Sequence, residues 1–238
     1  MANANFNSEV TQILSQKSAV LIPPVIAIDG PSASGKGTIA QLVAEELGFS
    51  YLDSGALYRI VALAALNSHI AWSDEAALTA LAQTLNIQFK NNQILLNDVD
   101  VSELVRSEHI GRGASEVAVH PALRKELLAL QHSFRTSPGL VGDGRDMATV
   151  IFTDAVLKVF LTADVTIRAE RRYKQLLGRG QTADFDAILL DLKIRDERDT
   201  GRSAAPLKQA LDALLLNTDH LSIAEAVQQV LSWYKTIG

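Results

Sequence analysis

The sequence predicts an α/β fold, a P-loop core with a parallel sheet flanked by helices, and three observations carry that reading. A β-branched apolar run at Val25–Ile28 stops at a glycine loop holding a single lysine, "GPSASGKGT" (Gly30–Thr38), and an amphipathic run begins there. Short apolar runs alternate with helical patterns up to about residue 66 and again after Pro138, the rhythm of parallel strands joined by crossover helices. The stretch between is patterned differently and reads as an insertion between the second and third core strands.

Taken in order, residues 1 to about 22 are polar, precede the first strand and are expected to form an extension outside the core. After "VIAI", the apolar positions Ile39, Leu42, Val43 and Leu47 follow helical spacing, and Gly48 is a C-cap candidate. "FSYLDSG" reads as a second strand ending near Asp53 and Ser54, and "ALYRIVALAAL" as an apolar helix. In the insertion, a helix around "DEAALTALAQTL" is followed by two alternating runs separated by Asn91-Asn92, a hairpin signal. A helix in "PALRKELLALQHSFR" has Pro121 near its first turn. The core then resumes with "GLVGDGRD" and "AVLKVFLTAD". Helices in "VTIRAERRYKQLL" and "AILLDLKIRDERD" come next, then a strand in "ALLLNTDHL" and a closing helix in "SIAEAVQQVLSWYKTIG".

Composition narrows the function. The chain has 238 residues, 47% of them apolar, which suits one large α/β domain with subdomains. The apolar run "AVLIPPVIAI" is short, broken by Pro23 and Pro24, and lacks a basic flank and a cleavage site. Neither a membrane span nor a signal peptide is expected, and the protein is expected to be cytoplasmic. There is no cysteine, which excludes disulfides, thiolate metal sites and a thiol nucleophile. The five histidines are scattered. A net charge of −5 argues against general nucleic-acid binding. Yet nine of the 22 lysines and arginines fall between Val165 and Arg202.

The glycine loop departs from the common phosphate-loop ending, because Gly37 follows Lys36 where serine or threonine is usual. Glycines let successive N–H groups turn towards phosphate oxygens, the helix N-terminus adds positive charge, and Lys36 reaches the terminal phosphates. Without a hydroxyl directly after the lysine, a magnesium ion would be held by nucleotide phosphates and water, with Thr38 as a helper. "GPSASGKGT" resembles the loop of the nucleoside monophosphate kinases, in which G-K-G-T is usual, and that resemblance implies phosphoryl transfer between small nucleotides. "LDSGALYR" sets Asp53, Ser54 and Arg59 at the carboxyl end of a strand, where ligands collect in open α/β sheets. The plain alternative makes Ser54 a helix cap and Arg59 a solvated side chain. "GDGRDM" packs Asp143, Arg145 and Asp146 onto a glycine-flanked turn, charges that need partners if buried. "RDERDTGR" interleaves Arg195, Arg198 and Arg202 with Asp196, Glu197 and Asp199. A solvated helix with i,i+3 pairs would account for that run. With Arg168, Arg171 and Arg172 upstream, a cationic lid that excludes water is the sharper reading.

"IDGPSASGKG", "LDSGALYR", "DGRDM", "IRDERD" and "APL", in that order, resemble the bacterial-type cytidylate kinases, a family of nucleoside monophosphate kinases. The likeness runs from Val25 to the C-terminus; Ala33-Ser34 and Thr200-Gly201 are mild departures. The resemblance implies ATP-dependent phosphorylation of CMP and dCMP to CDP and dCDP, with Mg²⁺ bound with ATP and no separate protein metal site. It implies that Gly30, Ser32, Ala33, Ser34, Gly35, Lys36, Gly37 and Thr38 cradle the ATP phosphates. Ser54, Arg59, Arg145 and Arg202 would surround the acceptor, and Ser115, Arg124 and Asp146 would read the cytosine edge. Arg195 and Asp199 would touch the ribose. Lys36, Arg145, Arg195 and Arg202 are then the catalytic candidates.

The expected architecture is a P-loop kinase core (about 23–66, 139–172 and 203–238). An NMP-binding subdomain (about 67–138) is inserted in it, and a short lid covers about 173–202. Its partners would be ATP and CMP or dCMP, with no nucleic acid, no membrane and a monomeric state. Two alternatives stay open: another small P-loop kinase acting on UMP, AMP or a non-nucleotide acceptor, and an ATP-binding module without transfer.

Overall fold

The computed structural model describes residues 22–90 and 93–237. The expected N-terminal extension, all but its last residue, and the Asn91-Asn92 turn lie outside them. Five parallel strands form the core sheet: β1 (Val25–Asp29), β2 (Ser50–Asp53), β6 (Leu140–Gly144), β7 (Leu157–Thr162) and β8 (Leu214–Asn217). Their order is β2-β6-β1-β7-β8, with Ala27 opposite both Gly142 and Lys158. β1 is central, so the loop that follows it opens at the middle of the sheet's carboxyl edge.

Side-chain alternation along β1 divides the core into two. Ile26 and Ile28 face α1 (Lys36–Leu47) and α9 (Ile223–Lys235), burying Ile39, Val43, Val227 and Val230 with Val159 and Leu161. Val25 and Ala27 face the opposite side, where α2 (Ser54–Asn67) brings Leu57 and Ile60 against Leu52, Leu140 and Phe152. Helix ends follow local rules. Gly35 precedes α1 at φ 92 and Gly48 follows it at φ 65, both left-handed positions that glycine adopts without strain. The cap of α2 is Asp53, whose carboxylate accepts the Ala56 N–H. Ser54, the residue the plain reading made a cap, is instead inside the helix and free for other contacts.

Between β2 and β6 lie α3 (Glu75–Ala82), a small antiparallel sheet, α4 (Ser102–Val105), α5 (Glu108–Val117) and α6 (Pro121–Ser133). The small sheet pairs β3 (Ile87–Lys90) with β4 (Gln93–Leu96) and adds a short third strand, β5 (Val99–Asp100), which the two-run pattern did not foretell. Trp72 closes over α5, and its indole N–H donates to the Ala62 carbonyl at 3.0 Å. A Cβ on Gly113 would stand 2.4 Å from that ring, so only glycine permits this approach. On the other side of the cleft, α7 (Val165–Gly178) and α8 (Phe185–Gly201) form an antiparallel arm between β7 and β8.

Candidate active site

Three strand ends converge. After β1, the loop from Gly30 to Gly35 leads into α1, and Gly30 lies so close to β7 that a Cβ would sit 2.2 Å from the Leu161 carbonyl oxygen. Lys36 opens α1 and folds its Nζ back to the Pro31 carbonyl at 3.3 Å. Burial, and then Arg145, bring its pKa down to about 8, against the opposing pull of Asp143, Asp53 and Asp199. The buried Ser34 hydroxyl in the same loop has no hydrogen-bond partner.

The end of β2 supplies Asp53 and Ser54, and Ser54 Oγ donates to the fully buried Gln131 of α6 at 2.9 Å. One turn further on, Arg59 leans on α5, close against Gly111, and donates to the Val105 carbonyl at 2.8 Å. The end of β6 supplies Asp143, Arg145 and Asp146. Asp143 accepts the Tyr51 hydroxyl at 2.7 Å. Burial first, and neighbouring Asp53 second, push its carboxyl up to about 7.

The predicted charge-bearing helix turns its charges outward to other elements. Asp199 of α8 accepts Arg145 Nε at 2.7 Å, and the same guanidinium's Nη2 donates to Ser32 Oγ at 2.7 Å. Burial favours the neutral acid, but Arg145, then Arg202 and Arg195, hold Asp199 below its usual value. One turn back, Asp196 pairs with Arg168 at 2.5 Å, and Arg168 Nη1 donates to the Ser32 carbonyl at 3.0 Å. Arg168 therefore serves the scaffold, as does Arg171, which is bonded to Thr218. Arg172 reaches across to Glu108 of α5 as an ion pair.

Arg124 on α6 donates to Asp146 and, through Nη1, to the Ala118 carbonyl at 3.1 Å. Its guanidinium carbon stands 5.5 Å from the centre of the Tyr58 ring. Around this pair, the Ser115 hydroxyl, Tyr58 hydroxyl and Arg202 Nη2 are buried without a hydrogen-bond partner. Arg195 Nε, on the α8 side, is in the same condition. Such orphaned donors are costly in a finished core and are the groups a polar ligand would satisfy.

Ser34, Tyr51, Gln131, Asp196, Thr218 and the scaffold pair Arg168 and Arg171 stand behind the wall; the other side chains border a single cleft of about 270 Å³. Every residue expected around the acceptor lines it: Ser54, Arg59, Ser115, Arg124, Arg145, Asp146, Arg195, Asp199 and Arg202. From the loop, Ser32, Ala33, Lys36 and Gly37 line it, whereas Gly30, Ser34, Gly35 and the exposed Thr38 do not. Sequence reasoning missed Tyr58 and Gln131 among the groups that build this site. Both sit on otherwise apolar helix faces, and only the break in that apolarity marked them. For a divalent cation, Asp53 and Asp143 are the hard oxygen donors beside Lys36. Asp143 is buried and Asp53 half-buried, and the repulsion of Asp53 on Asp143 is what a dication would relieve, so the donor set fits one.

A glycine loop after the first strand of a parallel sheet, opening on an arginine-lined cleft, defines a P-loop phosphotransferase. The fold resembles that of an uncharacterized protein from Eubacterium ventriosum ATCC 27560, with a TM-score of 0.51 at 11% identity over 90% of this chain and 99% of that one. The chain belongs to the cytidylate kinase family, whose model matches residues 26–236. It is 57% identical over 215 residues to the cytidylate kinase of Burkholderia cenocepacia strain HI2424 and 56% identical to that of Burkholderia multivorans strain ATCC 17616 / 249. In both cases the match covers 90% of this chain and 94% of the relative.

Proposed function

We propose that this protein transfers the γ-phosphoryl group of ATP to CMP and dCMP, giving ADP with CDP or dCDP. The observation that carries the reading is the pairing of two unlike ends in one cleft. A lysine-bearing phosphate loop faces a base-sized corner built from a carboxylate, a guanidinium and an unpartnered hydroxyl. Cytosine presents an amino donor beside two acceptors, so it calls for an acceptor and donors together, as Asp146, Arg124 and Ser115 offer.

In this reading Gly30–Thr38 wraps the ATP phosphates, with Lys36 leaving Pro31 to follow the migrating group. Arg59, Arg145 and Arg202 hold the acceptor phosphate with Ser54, and Arg195 and Asp199 hold the ribose. The acceptor is already an anion, so no covalent intermediate and no dedicated general base is needed. Positioning and neutralisation of charge set the rate. Asp53 and Asp143, with Thr38 as a helper, would hold Mg²⁺ brought in with ATP, which would supply positive charge against the phosphates. Residues 67–138 act as the acceptor-binding subdomain and 173–202 as the lid. The reading is of a monomeric enzyme of the cytoplasm, in keeping with free nucleotides as its substrates. Among the described residues, no helix is long and apolar enough to cross a membrane.

An ADP-release assay with CMP, dCMP, UMP and AMP at fixed ATP tests this. CMP and dCMP should be turned over well ahead of the others; preference for AMP or UMP would overturn the assignment of the base corner.

A further inference from the structure

Asp29, the last residue of β1, is 2% exposed and has no part in the scheme above. Its two carboxylate oxygens each accept one main-chain N–H: Oδ1 from Met147 and Oδ2 from Ala148, both at 2.8 Å. Those amides begin a π-helical turn, Met147–Ile151, that leaves directly from Arg145 and Asp146. The turn has no side-chain cap of its own. It takes its acceptor from a residue 118 positions earlier in the chain.

The residue after Asp29 is Gly30, where the phosphate loop begins, and its N–H donates to the Gly144 carbonyl at 3.3 Å. Loop and turn are thus tied twice within two residues, once by main chain and once by this carboxylate. Both oxygens are in use, so an amide would present its NH₂ to one of the two N–H donors and lose that bond. Burial raises the Asp29 carboxyl to about 6 against the lowering pull of these two amides. The charged groups facing it are Asp146, which raises it, and Arg145, which lowers it.

We propose that Asp29 is a positioning residue for phosphoryl transfer, its carboxylate holding the Arg145–Asp146 turn in register with the phosphate loop so that donor and acceptor meet in line. This rests on the reading of the cleft as the place where a nucleoside monophosphate is phosphorylated. In-line transfer is sensitive to such register, since a displacement of about 1 Å in a supporting element can cost about a hundredfold in rate.

The test is Asp29→Asn, measured for kcat, for KM of each substrate and for thermal midpoint. The expected result is a kcat lower by about thirty- to a hundredfold, with KM for ATP within about threefold of the parent and the midpoint little changed. A kcat within about threefold of the parent overturns the proposal. So does a loss that follows a lowered melting point with both KM values rising together, which is the signature of a fold residue. If Asp29→Asn does not fold, hydrogen exchange on the parent decides. Between about pH 7.5 and about pH 5, corrected for intrinsic rates, the Met147 and Ala148 amides should lose protection while β1 keeps it. Unchanged protection at both amides overturns the clamp. The exchange result is independent of which nucleotide is phosphorylated. If CMP proves to be no substrate, the assignment of the base corner fails, while the clamp is still decided and the kinetic comparison moves to whichever acceptor is used.

Discussion

Arg124 and Asp146 form an ion pair whose side chains are only 8% and 4% exposed. Each is held by a different element, α6 and the turn after β6, so the pair spans the join between insertion and core. Removing one member leaves the other buried and unmatched, which typically costs about 2–5 kcal/mol. Arg124→Met and Asp146→Asn should each lower kcat/KM for CMP by about one to three powers of ten, at about 1.4 kcal/mol for each. KM for ATP should hardly move. Discrimination between CMP and UMP should narrow, because uracil reverses the donor and acceptor at the edge these residues read. Equal losses for both acceptors, with the ratio intact, would assign the pair to the phosphate or the fold instead.

Lys36 rests on the Pro31 carbonyl, a contact it must break to meet a phosphate. Lys36→Met keeps the length and removes the cation. Turnover should drop by about a hundredfold or more, the scale of one strong electrostatic stabiliser. The thermal midpoint without nucleotide should stay within a few degrees or rise, since the charge is held in a buried position that disfavours it. Near-normal turnover would end the phosphate-loop assignment.

Much of this was legible from spacing alone, and the rest was not for a physical reason. Val25–Ile28, the glycine loop and the helix beyond it are local patterns, and each formed where the periodicity placed it. Ser54, Arg59, Arg145, Asp146, Arg195, Asp199 and Arg202 stood out through short charged stretches whose chemistry has no good use on a bare surface, whereas Ser115 and Arg124 were named only by the family resemblance; all nine line the cleft. What stayed hidden depends on distant pairing. Asp29 reads as one more strand residue until Met147 and Ala148 arrive beside it. Gln131 reads as a polar interruption of α6 until Ser54 meets it. The charges of α8 matched i,i+3 spacing on paper, yet Asp196 and Asp199 found Arg168 and Arg145 on other elements.

Asp143 sets a pH dependence whose sign can be worked out. Its carboxyl is raised from the usual 3.8 to about 7 by burial and by Asp53. The folded protein therefore holds this proton more tightly than the unfolded chain. The resulting stabilisation is full below about pH 4 and is lost as pH rises through about 7. From this group alone, stability of the nucleotide-free protein should decline between about pH 4 and about pH 7 and level off above that. Asp143→Asn still offers an oxygen to Tyr51, should flatten that decline, and should raise stability at about pH 8 by on the order of 1–3 kcal/mol. Denaturant melts of parent and variant across this range would check it; parallel curves would contradict the assignment.

Gly113 makes a prediction about packing that reaches the cleft. Its Cβ would lie 2.4 Å from a Trp72 ring that is anchored through Ala62 and cannot step aside. Gly113→Ala should destabilise by about 1–3 kcal/mol, the usual range for overpacking. Ser115 is two residues further along α5, so KM for CMP should rise while KM for ATP does not. A denaturant midpoint equal to the parent's would show that the ring yields.

The two chains of contact that leave α8 both finish on Ser32. One runs from Asp196 through Arg168 to the Ser32 carbonyl, the other from Asp199 through Arg145 to its hydroxyl. A single strut would fix the distance between helix and loop and still let the helix roll about it. Two struts, footed three residues apart on α8 and meeting at one residue, remove the roll as well. The arm can then swing only by dragging Ser32 with it or by releasing both struts together. Arg145 is one of the two, and it is also a cation that a phosphate would claim, so an incoming nucleotide would unlock one strut and leave α8 free to pivot on the other.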